Sequence, residues 1–180
     1  MEPSAIDKVC SGAYREIFEQ KVQGKEDASG LYSIGYFDGN HVIDECLDSI
    51  RRMVEQCNNF EGFINYSAIG GGTGSGFGSK LLERLSIDYP NRIKHAYTIY
   101  PHSRQSPTIV EPYNSVLASS KHLDHLNFSV VLDNHACYDI CRRSLDIVRP
   151  AYGDINYLMS QSISSITAAM RMGGAINVDM

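Results

Sequence analysis

Apolar positions at Ile43, Cys46, Leu47, Ile50, Met53, Val54 and Cys57 recur at the spacing of one helix face, which predicts an amphipathic helix over 43–57. The pattern then changes period. GFINYSAI, residues 62–69, is a short apolar run rich in aromatic and β-branched residues and reads as a buried strand. GGGTGSGFG follows over 70–78, and SKLLERLSIDYP then puts Phe77, Leu81, Leu82 and Leu85 on one face of a helix that stops at Pro90. IKHAYTIY (93–100) reads as a second strand, 103–107 as a polar loop, and 111–120 as a short helix with Pro112 in its first turn. NFSVVL (127–132) is a third strand. Asp133 and Asn134 stand at the N-cap of a helix running to about Leu145. Beyond Pro150, Ile155, Leu158, Met159, Ile163, Ile166 and Met170 share one helical face, and Gly173 and Gly174 end it.

Strand, loop and helix in repeated order predict an α/β fold, a Rossmann-like parallel sheet with flanking helices on both faces. Near-continuous apolar strands fit burial on both sides. No internal repeat or low-complexity tract divides the chain. In such sheets ligands bind beyond the carboxyl ends of the strands, so the loops leaving the three strands carry the candidate chemistry.

Composition narrows the class. The 180 residues are 43% apolar and 21% charged, enough for a sizeable core and unlike collagen, a coiled coil or a disordered chain. Sixteen Lys plus Arg against 21 Asp plus Glu give a net charge of −5, which argues against general binding to nucleic acid or an anionic membrane. No apolar run reaches the roughly 18 residues that span a bilayer, and the opening MEPSAIDKVC lacks a secretory pattern. Cys10, Cys46, Cys57, Cys137 and Cys141 form no paired spacing and read as free thiols of a reducing, cytoplasmic compartment. Cys46 and Cys57 fall on the apolar side of their helix, and Cys137 and Cys141 are expected in or near the core.

The most informative loop is Gly70–Gly76. Five of its seven residues are glycine, free to take left-handed backbone angles, and it lies between a buried strand and a helix N-terminus. Bare N–H groups and the helix dipole there favour an anion, and the hydroxyls of Thr73 and Ser75 add donors. The loop reads as a phosphate cradle, with a plain tight turn as the bland alternative. Phe77 stands where a Walker loop needs lysine, and no GxGxxG is present. His122 and His125 form HxxH without a third ligand nearby, and no GxSxG elbow supports a hydrolase triad.

GGGTGSG is the signature of the tubulin and FtsZ-like GTPases, which this chain resembles over essentially all of its length. EPSAID (2–7), GKEDA (24–28), LLERLS (81–86), VEPYNSVL (110–117), DNHACYDICRRSLDI (133–147), SSITAAMR and GAINVD carry the resemblance. GKEDA, LLERLS and GAINVD are similar to the alpha subfamily more than to the beta. The resemblance implies GTP and Mg²⁺ as ligands. It sets Glu2 near the metal and γ-phosphate, with Asp27 and Ala28 also facing the γ-phosphate. It sets Gly71, Gly72, Thr73 and Gly74 around the phosphates, and Ser106 and Glu111 at the ribose. Asn134 and Asn156 would read the guanine edge and Tyr152 would stack on the base.

Four of these have a plainer reading from their place in the chain. Asn134 is a helix cap, Asn156 a solvated polar position, Tyr152 a half-buried aromatic, and Glu111 a favourable charge in a first helical turn. The chemistry of the resemblance is nonetheless coherent. Guanine offers one acceptor and two N–H donors, and an amide carries both functions.

The resemblance further implies head-to-tail protofilament contacts with a beta-tubulin-like subunit, and a cytoplasmic place on microtubules. Ala68 and Pro107 stand where the family carries polar residues near the ligand, and a stretch before GKEDA is shortened. The chain is therefore expected to be a partial tubulin/FtsZ-type GTPase domain over 1–180, lacking the first strands and the segment with the catalytic glutamate. No catalytic residue is assigned, and the chain is expected not to hydrolyse GTP alone. Two classes follow: a GTP-binding constituent of the microtubule cytoskeleton, or a truncated, non-assembling, tubulin-like product with weak or no GTP binding.

Overall fold

The computed structural model describes residues 10–13, 15–17, 21, 22, 24, 27–102 and 108–173. After a 3₁₀ turn at Arg15–Ile17, the elements are α1 (Tyr32–Phe37), α2 (Asn40–Gln56), β1 (Gly62–Ala68), a π-helical turn (Thr73–Phe77) continuing into α3 (Gly78–Asp88), and β2 (Ile93–Tyr100). They continue with α4 (Glu111–His125), β3 (Phe128–Asp133), α5 (Asn134–Arg143), α6 (Tyr152–Ile166) and α7 (Ala168–Arg171). All three predicted strands are present within a residue of their expected ends. The helix at 111 runs to His125, five residues beyond the expected stop, because nothing between Ser120 and His125 breaks it.

The sheet is parallel in the order β1-β2-β3, with Tyr66 opposite Tyr97 and Ile99 opposite Leu132. Sequential order with right-handed crossovers puts both connecting helices, α3 and α4, on one face, where they pack on each other. The Tyr100 hydroxyl lies 2.8 Å from Ser119 Oγ, tying β2 to α4 on that face. Ile99 alternates to the other face, where it and Leu132 pack under Cys137, Ile155 and Met159 of α5 and α6. The α/β layering with helices on both faces is therefore as the sequence predicts.

Burial on both faces is not uniform, which corrects the expectation for two strands. Only β2 is buried through its middle, with Ala96, Tyr97 and Thr98 at 1% exposure or less. Among the described residues β1 and β3 each have one strand neighbour, so Ile64, Tyr66, Phe128 and Val131 are exposed. Tyr66 stacks on Tyr97 at 5.2 Å, so the apolar ring still covers the central strand. Cys57 also differs from expectation. It is exposed at the C-cap of α2, past the end of the apolar face, while Cys137 and Cys141 are buried.

Three polar contacts fix the helices. The Tyr36 hydroxyl donates to Glu83 at 2.6 Å, joining α1 to α3; this hydrogen bond is the main reason its phenol is pushed up to about 12. Lys121 lies 3.6 Å from the same carboxylate. Lys94, almost fully buried, donates to the carbonyls of Tyr89 and Arg92 at 2.7 and 3.0 Å and so closes the end of α3; burial lowers its pKa. No helix among the described residues is long and apolar enough to cross a membrane.

Candidate functional site

The carboxyl ends of the three strands converge on a cleft of about 420 Å³ lined by Ala68, Gly70, Gly71, Ile99, Tyr100, Pro101, His102, Glu111, Asn134, Tyr138 and Tyr152. That volume falls within the range of about 300–1,000 Å³ usual for small-molecule sites. Four residues singled out from the sequence, Gly71, Glu111, Asn134 and Tyr152, are brought together here from four different loops and helix starts. Asp27, Ala28 and Thr73 line a separate, smaller hollow of about 70 Å³ with Gly35, Gly39 and Phe77.

The glycine-rich run is built differently from the free loop the sequence suggests. It winds into helix at once: Thr73–Phe77 is a π-helical turn, with Gly78 N–H donating to Thr73 O. None of its glycines has positive φ. Among the described residues, left-handed backbone occurs at Ser29, Gly30 and Asp146 instead. The glycines serve close approach. A Cβ on Gly74 would lie 2.0 Å from the Ala68 carbonyl oxygen, and one on Gly72 would lie 2.6 Å from Leu31 N and 2.8 Å from Ala28 O. Gly70 and Gly71 are exceptions: a Cβ on Gly70 would make only ordinary contacts from 3.4 Å outward, and one on Gly71 would meet nothing within 4 Å.

Ser75 is a second correction. It is fully buried and its hydroxyl donates to Gly71 O at 2.5 Å, so it faces the turn's own backbone and is spent as a donor. Thr73 is half-exposed and lines the smaller hollow with Asp27 and Ala28, apart from Gly71 in the cleft. The first N–H groups of this turn lie at a helix start, where they lack intrahelical partners and the dipole is positive.

At the other end of the cleft, Asp133 caps α5, its carboxylate accepting from His135 N at 2.9 Å. Asn134 is thus inside the helix as its first residue, and its amide is not needed as the cap. Tyr152 starts α6, is 72% exposed, and meets Tyr138 edge-on at 6.5 Å. Asn156, one turn further along α6, is exposed and does not line the cleft. Glu111 sits in the first turn of α4. Glu2 and Ser106 lie outside the described residues, as does Pro107.

Sequence reasoning passed over Asn114, Tyr138 and His102. Asn114 is 3% exposed and donates from Nδ2 to Gly30 O at 2.7 Å and Gly70 O at 2.8 Å, while its Oδ1 accepts from Tyr32 N at 3.0 Å. A buried amide with its donors and acceptor all used rigidifies the walls it joins. Its only signal in the sequence is its position inside VEPYNSVL. His102 and Tyr138 carry no periodic signal at all. No group of three or more His, Cys, Asp or Glu poised for a metal occurs among the described residues.

Helix-start amides and a bare glycine at one end of the cleft, and an amide and an exposed aromatic ring at the other, suit a ligand with an anionic end and a flat polar end. A family model described as the Tubulin/FtsZ family, GTPase domain, matches residues 1–142.

Proposed function

We propose that this chain, which belongs to the Tubulin/FtsZ family, binds GTP in the cleft at the carboxyl ends of β1, β2 and β3 and is an alpha-tubulin-type subunit of microtubules. The observation that carries the nucleotide reading is the meeting of Gly71, Glu111, Asn134 and Tyr152 in one cleft of suitable size. Family membership supplies guanine as the base.

In this reading the start of the π-helical turn, Gly71 to Gly74, receives the phosphates through backbone N–H groups. The family resemblance assigns Asp27 and Ala28, in the separate hollow they share with Thr73, to the γ-phosphate, and Glu111 in the cleft, with Ser106 outside the described residues, to the ribose. Asn134, which lines the cleft, matches the donors and acceptor of the guanine edge, and Asn156, one turn along α6 and outside the cleft lining, is its second amide by the family resemblance alone. Tyr152 stacks on the base, a contact worth about 1–3 kcal/mol in nucleic-acid settings. Gly71 fits the role because its open side leaves room for a ligand atom where a Cβ would stand. Mg²⁺ would neutralise phosphate charge when bound, with Glu2 as its protein ligand.

The alpha-type assignment is supported by GKEDA, LLERLS and GAINVD. Assembly follows the family habit of polymerising with related subunits, here head to tail with a beta-tubulin-like partner in the cytoplasm. A heterologous contact of that kind builds open filaments. Residues 1–180 are read as part of one GTPase-type domain. In support, Ile155 and Met159, beyond the matched stretch, pack against Ile99 and Leu132 of the sheet.

The test is a titration of the purified full chain with a fluorescent GDP analogue, competed by GTP and by ATP, beside co-sedimentation with microtubules. Saturable binding, preferential competition by GTP, and loss of binding in Asn134→Leu with unchanged circular dichroism are the expected results. A folded chain that shows no binding at millimolar nucleotide refutes the nucleotide reading. Failure to pellet with microtubules refutes the assembly reading alone.

A further inference from the structure

Asn114 lies in the first turn of α4, is 3% exposed, and spends its amide on three separate points of backbone. Nδ2 donates to Gly30 O at 2.7 Å and to Gly70 O at 2.8 Å, and Oδ1 accepts from Tyr32 N at 3.0 Å. Two N–H donors and an acceptor on one short side chain are what an asparagine amide alone provides.

The backbone it holds at Gly30 and Tyr32 is strained. Ser29 has φ 48° and Gly30 φ 70°, so the chain passes through two left-handed residues between Ala28 and α1. A left-handed residue with a Cβ persists only where its surroundings enforce it. Leu31 N donates to Ala28 O at 2.9 Å across this turn, and Asn114 fixes the turn at the two residues that flank Leu31. The turn also lies against the glycine-rich run, since a Cβ on Gly72 would stand 2.6 Å from Leu31 N and 2.8 Å from Ala28 O. Ala28 and Thr73 line the smaller hollow, whereas Gly70, Gly71 and Glu111 line the cleft. Asn114 therefore ties the turn bordering the hollow to the backbone of the cleft.

Resting on the nucleotide reading above, we propose that Asn114 is a positioning residue for the terminal phosphate: by fixing the turn at 28–32 against Gly70, it sets how strongly the chain favours GTP over GDP. In that reading the base, the ribose and the inner phosphates are met by Asn134, Tyr152, Glu111 and the start of the π-helical turn. The third phosphate alone needs Asp27 and Ala28 at a set distance from Gly71 to Gly74, and the Asn114 amide fixes that distance. Loosening it acts on the triphosphate more than on the diphosphate.

Competition of GTP and of GDP against a fluorescent GDP analogue, on the full parent chain, Asn114→Ala and Gly30→Ala, tests this. Alanine at 114 leaves room for water beside the freed carbonyls and N–H. Gly30→Ala disturbs the turn by itself: a Cβ there meets nothing within 4 Å, but its φ of 70° disfavours any residue except glycine. The parent is expected to prefer GTP. Asn114→Ala is expected to lower that preference about tenfold while keeping GDP affinity within about threefold of the parent, and Gly30→Ala to lower the preference in the same direction. A merely structural role would weaken both nucleotides together and leave the ratio unchanged. Equal affinity of the parent for GTP and GDP, or an unchanged ratio in either variant, overturns the proposal and leaves the nucleotide reading standing. If Asn114→Ala is unfolded by circular dichroism, the ratio in Gly30→Ala decides. A parent chain that binds neither nucleotide overturns the nucleotide reading itself, and this inference with it.

Discussion

Asn114 donates a hydrogen bond from Nδ2 to the carbonyl of Gly70, 2.8 Å away and 44 positions earlier in the chain. Through its remaining donor and its acceptor, the same side chain also holds Gly30 and Tyr32, so it ties the loop before α1 and the exit from β1 to the start of α4. Replacing it with Leu leaves two part-buried carbonyls and one part-buried N–H without this partner. An unsatisfied buried group costs about 1–3 kcal/mol. Asn114→Leu is therefore expected to destabilise by at least about 2 kcal/mol and to abolish nucleotide binding, read from urea denaturation and a binding titration. Asn114→Asp keeps the acceptor but sets a carboxylate against two carbonyls, and is expected to be no better. A stable Asn114→Leu protein would contradict the role given to this residue.

The glycine-rich turn separates into two kinds of position. At Gly74 a Cβ falls 2.0 Å from backbone oxygen, so Gly74→Ala must displace β1 or the turn, and insoluble or strongly destabilised protein is expected. Gly71 has negative φ and no neighbour within 4 Å of its Cβ position. Gly71→Ala is expected to leave stability within about 0.5 kcal/mol of the parent and to act on ligand affinity. Measuring thermal midpoint and GDP affinity for both variants checks the split. Equal stability losses would refute it.

Two histidines make the fold acid-sensitive. His122 is 5% exposed with neither ring nitrogen partnered, and His95 is 7% exposed with Nε2 unpartnered; burial lowers the pKa of both below 6.5. Above the ordinary value both are neutral in folded and unfolded chains. As pH falls below it, the unfolded chain takes up protons that the folded one resists, so stability is lost until the lowered values are passed. The urea midpoint is expected to fall between about pH 6.5 and 5, and His122→Leu is expected to reduce that slope. A flat midpoint across this window would show that the two rings do not control it.

Asp133 has two duties, capping α5 and facing His102. Asp133→Ala is expected to cost about 1 kcal/mol from the lost cap. Asp133→Ser keeps a capping oxygen and is expected to recover most of that stability, while leaving His102 without its carboxylate. Urea denaturation checks this, and an Asp133→Ser protein no more stable than Asp133→Ala would contradict the capping role.

How far the site was legible follows from the range of the forces involved. The strands at 62–69, 93–100 and 127–132 could be read because side-chain period, length and apolar content are local, and the parallel order of elements follows from their alternation. Glu111, Asn134 and Tyr152, which line one cleft, were singled out through motif resemblance, and Asn134 by place as well, since it opens the helix leaving a strand end. The glycine run was legible as a special turn, but not for the right reason. Left-handed backbone and close approach both demand glycine, and only the positions of Ala28, Leu31 and the Ala68 carbonyl show that approach is the cause.

The sequence by itself determined the α/β class, the three strands, the helix faces and the family, because each is written in periodicity or in contiguous motifs. Tertiary structure alone decided that Asp133 is the cap and Asn134 is left to the cleft, that Ser75 turns inward, and that Cys57 is outside. It also decided that Asn114 joins three segments and that His102 stacks on His135. The last two are pairings between residues tens of positions apart, fixed by how helices pack on a parallel sheet. A buried hydrogen bond or stacked ring pair of that kind leaves no periodic trace along the chain.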